Sequence, residues 1–191
     1  NAELVFQKAA QLPSVKQLLV SLYAQKAQAL RQNDLLRSRD WINKALKLQP
    51  ENPGILTFLV ELELADKKIS QAQEIIAEYS KGNADPAVVN FLKGLVLQAE
   101  GKKSEALVLL QAAFIAQPTD NAGEKIYTLL SQIDAAKARE FLSQWSKALP
   151  QSIRPLLLAA LEAQKNSDKT AAISAYEAVL AKQPRSVLAL N

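Results

Sequence analysis

The sequence predicts an all-α fold, an α–α superhelix (solenoid) of stacked helical hairpins. Three observations carry that prediction. A Pro-terminated pattern returns along the chain, as KALKLQP to Pro50, AFIAQP to Pro118, WSKALP to Pro150 and VLAKQP to Pro184. The intervals are 68, 32 and 34 residues, and the first is twice 34. A fixed period near 34 marks an array in which each unit is one hairpin that cannot bury its apolar face alone. Small residues also recur at fixed places within the period, as Gly94, Ala106 and Ala113 do ahead of Pro118. Finally, no stretch alternates with period two for long enough to suggest a strand.

The elements follow from turn and cap chemistry. Helices are expected at about 2–12, 14–31, 35–48, 53–66, 69–81, 86–99, 103–116, 121–132, 135–147, 153–165 and 169–182. Asn52 and Asp85 each offer an N-cap before a Pro in the first turn, where the missing N–H costs nothing. Asp34, Asp134 and the pair Ser167-Asp168 supply caps for second helices. Gly82 and Gly101 suit the left-handed residue that closes a helix.

The unit ending at Pro118 has Gly94, Gly101, Ala106, Leu110 and Ala113 at the offsets where two helices touch, and it resembles the tetratricopeptide repeat. Other units match with losses. The one ending at Pro184 has Ala160, Ala172, Tyr176 and Val179 at the same offsets, and the one ending at Pro50 has Lys26, Ser38, Ile42 and Ala45. The unit from Pro53 keeps Ala72 and Ile76 but has Val60 and Tyr79, whereas the unit ending at Pro150 keeps Ala138 and Leu142 with Trp145 in a small-residue place. The resemblance divides the chain into 1–13 (the second helix of a truncated repeat), five repeats at 14–50, 51–85, 86–118, 119–150 and 151–184, and 185–191 as the start of another. On this reading the chain is a segment of a longer array. Its end helices would expose apolar faces that neighbouring repeats cover, a route to self-association.

Composition narrows the function. The 191 residues are 49% apolar, enough for a continuous core. Net charge is +4 with the two signs interleaved, whereas a nucleic-acid binder gathers its charge on one face. The densest basic cluster, Arg31, Arg37, Arg39, Lys44 and Lys47, reads as a solvated outer surface. No run of about 18 apolar residues is present, so no membrane insertion is expected. The chain has no Cys and no His, which excludes thiolate nucleophiles and removes the commonest general base and metal ligand. Its five Gly are scattered and form no phosphate-binding loop. Glu61 and Glu63 point to different helix faces, and Glu74 and Glu78 share a solvated one. Nothing in the sequence asks for a metal or a cofactor, and the reading is against an enzyme.

The resemblance implies that first helices line a groove for a protein or peptide. Its offsets fall on Tyr23, Ala27 and Leu30, on Thr57, Glu61 and Leu64, on Phe91, Leu95 and Gln98, on Tyr127, and on Leu157, Leu161 and Gln164. Such a groove suits an amphipathic helix or an extended segment. The alternative, that several of these positions are core between hairpins, stays open here. A subgroup of the family clamps a C-terminal carboxylate with Lys and Asn. Tyr23, Ala27, Thr57 and Glu61 stand at those places, so no carboxylate-clamp chaperone tail is expected. Trp41 and Trp145 read as packing residues.

The closing stretch AAISAYEAVLAKQPRSVLALN is similar to the tetratricopeptide lipoproteins of bacterial PEP-CTERM/exosortase systems. That resemblance implies a non-catalytic interaction scaffold in the periplasm or cell envelope, linked to exopolysaccharide production or protein sorting. Two alternatives are a segment serving polysaccharide secretion or outer-membrane assembly, and a cytoplasmic adaptor or regulator.

Overall fold

A computed structural model describes residues 12–82 and 84–186. The described residues form ten helices and no strand. They are α1 (Pro13–Leu30), α2 (Leu35–Leu48), α3 (Pro53–Ala65), α4 (Ile69–Ser80), α5 (Pro86–Ala99), α6 (Lys103–Ala116), α7 (Asp120–Ile133), α8 (Ala135–Ala148), α9 (Arg154–Lys165) and α10 (Lys169–Lys182). Each lies close to an expected span. The helix expected at 2–12 and most of the unit expected at 185–191 fall outside the described residues.

The chain divides into two compact units, Asn1–Lys102 and Lys103–Asn191. In the first, α1 packs on α2, α2 on α3, α3 on α4 and α5, and α4 on α5. In the second, α6 packs on α7, α7 on α8, α8 on α9, and α9 on α10. The repeat expected at 86–118 has its first helix in one unit and its second in the other.

Helix starts follow the expected cap chemistry. Asn52 accepts from the N–H of Gly54 and Ile55, Asp85 from Ala87, Asp34 from Arg37, Asp134 from Ala136 and Lys137, and Asp168 from Ala171. Thr119, which the sequence reading passed over, caps α7 through Ala122. Each cap satisfies a donor that the helix cannot satisfy internally.

Three hairpins turn in the same way. α3–α4, α5–α6 and α9–α10 are joined by three residues, the middle one left-handed: Lys67 at φ 59°, Gly101 at φ 79° and Ser167 at φ 61°. In each, the following N–H reaches back to a carbonyl five residues earlier: Lys68 to Glu63 at 2.8 Å, Lys102 to Leu97 at 2.9 Å and Asp168 to Ala163 at 2.9 Å. These are Schellman closures, for which Gly is the unstrained choice. Gly101 fills the expected role. Gly82 does not, because its φ is not positive. Lys67 and Ser167 hold the left-handed conformation without being Gly.

The other two hairpins turn differently, and α1–α2 also packs in a different register. Four residues, Arg31 to Asp34, join α1 to α2, and Asp134 alone joins α7 to α8. Neither link contains a left-handed residue. In the two regular hairpins that lie within one unit the small or buried residue of the first helix (Val60 or Ala160) lies 12 before that of the second (Ala72 or Ala172). The same count lands on Lys26 in α1, which is exposed, whereas its neighbour Ala27 is fully buried and its carbonyl accepts the Ser38 hydroxyl at 2.8 Å. In α7 the close approach is at Gly123. A Cβ there would run into the indole ring of Trp145. Trp145 is fully buried and its indole N–H donates to Asp120 Oδ1 at 3.0 Å. A large residue thus replaces a small one on α8 because the facing residue on α7 has no side chain.

Candidate functional site

Neighbouring hairpins within each unit are tied through polar residues. The fifth residue of α2, Arg39, is 17% exposed and donates to both carboxylate oxygens of Glu63 on α3, from Nε at 2.5 Å and from Nη2 at 2.9 Å. Arg39 Nη2 also donates to Asp66 Oδ2 at 2.9 Å. The fifth residue of α4, Gln73, donates to Glu100 at 3.1 Å. The fifth residue of α8, Arg139, pairs with Glu162 on α9 at 3.2 Å. One position of the second helix therefore reaches the next first helix, or its C-cap, three times over.

These ties hold charged groups in their ionised form. Hydrogen bonding to Glu63 raises the guanidinium of Arg39 further, against the opposing effect of burial. Asp66 is held below the usual carboxylate range, first by its hydrogen bond to Lys68 and then by the one to Arg39. The arginine cluster read as solvated surface is therefore corrected at Arg39, which is turned inward. Arg31 is also engaged, with Glu61 at 3.1 Å and over the Phe58 ring at 5.2 Å. Glu61 and Glu63 do point apart, one to Arg31 and the other to Arg39.

Three of the expected groove residues are core. Ala27 is fully buried in the α1–α2 contact, Leu95 is 4% exposed and Phe91 is 8% exposed. The physical reason on α5 is an apolar surface spread over most of the circumference, with Val88, Leu92 and Val96 buried as well. The other positions divide between ties and accessible surface. Glu61 is occupied by Arg31. Tyr127 donates its hydroxyl to Glu162 Oε2 at 3.1 Å, and burial with the nearby carboxylate pushes its phenol up to about 12. Tyr23 is half-buried and stacks at 5.5 Å on Trp41, whose ring also lies under the ammonium groups of Lys26 at 4.4 Å and Lys44 at 4.0 Å. Thr57 and Leu157 are half-buried, and Leu161 is 54% exposed.

The structure brings one subset together on the second unit. Tyr127 on α7 is joined through Glu162 to the helix that carries Leu157 and Leu161. Glu162 and Arg139 were missed by the sequence reading. The available signal was the basic or amide residue at the fifth place of α2, α4 and α8, which comes into view once the units are aligned. Among the described residues no group of three or more His, Cys, Asp and Glu could hold a metal ion. No helix among them is long and apolar enough to cross a membrane.

No family model matches the sequence, and no curated protein matches it. Solved structures do match. Yeast Tom70 is similar with a TM-score of 0.63 at 19% identity, over 96% of this chain and 39% of that one. PilF of Pseudomonas aeruginosa gives 0.54 at 16% identity, over 92% and 81%. A tetratricopeptide repeat protein from Parabacteroides merdae gives 0.50 at 16% identity, over 90% and 70%. The fold is that of the tetratricopeptide solenoids. At these identities the likeness establishes the fold and nothing further.

Proposed function

We propose that this chain is a non-catalytic scaffold that holds a protein or peptide against the outward faces of its first helices. The observation that carries the reading is Leu161, a large apolar side chain 54% exposed on a first helix, beside half-buried Leu157 and the tied Tyr127. Tyr127 and Glu162 beside it are used to hold hairpins in register, so the accessible surface is the apolar pair Leu157 and Leu161 with exposed Gln164 next to them. That chemistry favours an amphipathic helix or an apolar extended segment over a charged tail or a nucleic acid. The absence of Cys and His supports the non-catalytic reading, since the residues that most often activate nucleophiles or water are lacking.

The similarity of the closing stretch to the exosortase-system lipoproteins supports a finer placement. In that reading the parent protein sits at the bacterial envelope and serves exopolysaccharide production or protein sorting. A crosslinking pull-down from the native cell tests both levels, with Leu161→Lys as the control. Envelope or polysaccharide-synthesis proteins that disappear with the control are the expected catch. Cytoplasmic partners would overturn the envelope placement, and partners indifferent to the substitution would overturn the surface.

A further inference from the structure

We infer that the second unit carries another binding site, on the opposite side of α9 from Leu157 and Leu161, which takes a short peptide segment with a bulky apolar side chain next to a basic one. The site is a cleft of about 640 Å³ bordered by α8, α9 and the start of α10. Ligand sites typically run about 300–1,000 Å³.

Helix geometry separates the two faces. Ala159 and Ala163 line the cleft and lie four residues apart, one above the other. At 3.6 residues per turn, Leu157 and Leu161 project roughly 160° away from them. A ligand in the cleft therefore does not cover Leu157 or Leu161, and Glu162, which lines the cleft and accepts from Tyr127, is the residue the two faces share. The hollow exists because small residues stand where larger ones would fill it: Ala159, Ala163 and Ala171. Leu142, Pro155 and Leu156 supply the apolar floor on which a ligand side chain can rest.

The rim determines the charge of the occupant. Ser143, Ser146 and Asn166 offer hydroxyl and amide groups. The one cation, Arg139, is matched by Glu162 at 3.2 Å, and that leaves Asp168 as a surplus carboxylate. Asp168 accepts from the Ala171 N–H through Oδ1 and has no cation within 4.0 Å among the described residues. An anionic ligand would meet this surplus charge, whereas an ammonium or guanidinium would be paired by it. A leucine-like side chain on the floor with a neighbouring Lys or Arg at Asp168 satisfies both parts of the cleft.

The test is an NMR titration of the whole isotopically labelled chain with the peptide N-acetyl-Leu-Lys-Leu-Lys-amide, and with N-acetyl-Leu-Glu-Leu-Glu-amide as its acidic counterpart. The expected result is saturable shifts at the amides of Ser143, Ser146, Ala159 and Ala163, with the acidic peptide binding at least about tenfold more weakly. Asp168→Asn keeps the helix cap, because Asn caps as well as Asp. It should weaken the basic peptide about two- to fivefold, as loss of an exposed charge pair does. Ala163→Leu should remove the shifts by filling the hollow, and Leu161→Lys should leave them unchanged. No saturable shift, shifts confined to Leu157 and Leu161, an equal response to both peptides, or indifference to Asp168→Asn would each overturn the site. Because Leu161→Lys reads the other face, failure of the cleft and failure of the first-helix surface are separable.

Discussion

The two units secure their helix contacts with different chemistry. In the first, the joint between α2 and α3 is a nearly buried ion pair, Arg39 with Glu63, extended to Asp66. In the second, the contact between α7 and α8 is made by size, with Trp145 seated against Gly123, and Phe141 on α8 reaches Phe114 on α6 at 5.4 Å. The ion pair at the matching position of the second unit, Arg139 with Glu162, has an arginine 61% exposed, and beside it lies the open cleft. A repeat constrains where helices touch. It leaves open whether charge, aromatic volume or a small residue fills the contact.

This contrast can be broken most forcefully at Arg39. Arg39→Leu strands the carboxylate of Glu63, which is 5% exposed, and loss of one partner of a buried pair typically costs about 3–5 kcal/mol. Urea unfolding of the variant should show that loss, while Arg139→Leu costs far less because its pair faces water. The same joint should weaken in acid. Asp66 has a depressed folded pKa, so its contribution is present above about pH 4 and is lost as pH falls through the folded value. Asp66→Asn should flatten that part of the stability profile.

Next in size is Gly123→Ala. The added methyl meets a fully buried indole, and overpacking of this kind costs about 1–3 kcal/mol. In a Trp145→Leu background the cost should vanish or reverse, because Ala is the better helix former. Thermal melts of the four proteins would measure the coupling.

The fold was legible in the sequence because its signals are local. A Pro, a cap residue or a small residue acts within a turn or two, and the five Asn and Asp caps expected at helix starts are all in place. The surface was less legible, because exposure depends on which register a hairpin adopts. Ala27 was assigned to a groove by an offset that fails in α1, where the buried position falls one residue later than in the regular hairpins. Phe91 and Leu95 sit at groove offsets on a helix buried nearly all round. Gly123 looked like one scattered glycine, and its purpose is visible only with Trp145 opposite.

Smaller effects sharpen the turn comparison. Lys67→Gly should stabilise by about 1 kcal/mol by relieving a left-handed non-Gly residue, and Gly101→Ala should destabilise by a similar amount. No atom lies within 4 Å of a Cβ at Gly101, so backbone strain alone accounts for that cost. Tyr127 supplies a spectroscopic check. The absorbance change of its phenolate should come near pH 12 and be missing in Tyr127→Phe. Since its folded pKa is raised, its contribution to stability is full below about pH 10 and is lost as pH rises towards the folded value. The smallest expected effect on folding is that of Leu161→Lys, within about 0.5 kcal/mol, as for an exposed position.

The most direct measurement is photocrosslinking in the native cell, with a crosslinkable residue at position 161 and, as an exposed apolar control off the first helices, at position 108, where Val108 is 65% exposed. The scaffold account predicts a discrete protein adduct at 161 that is absent at 108 and is lost when Leu157→Lys is added. Equal labelling at both positions, or no adduct at 161, would contradict it.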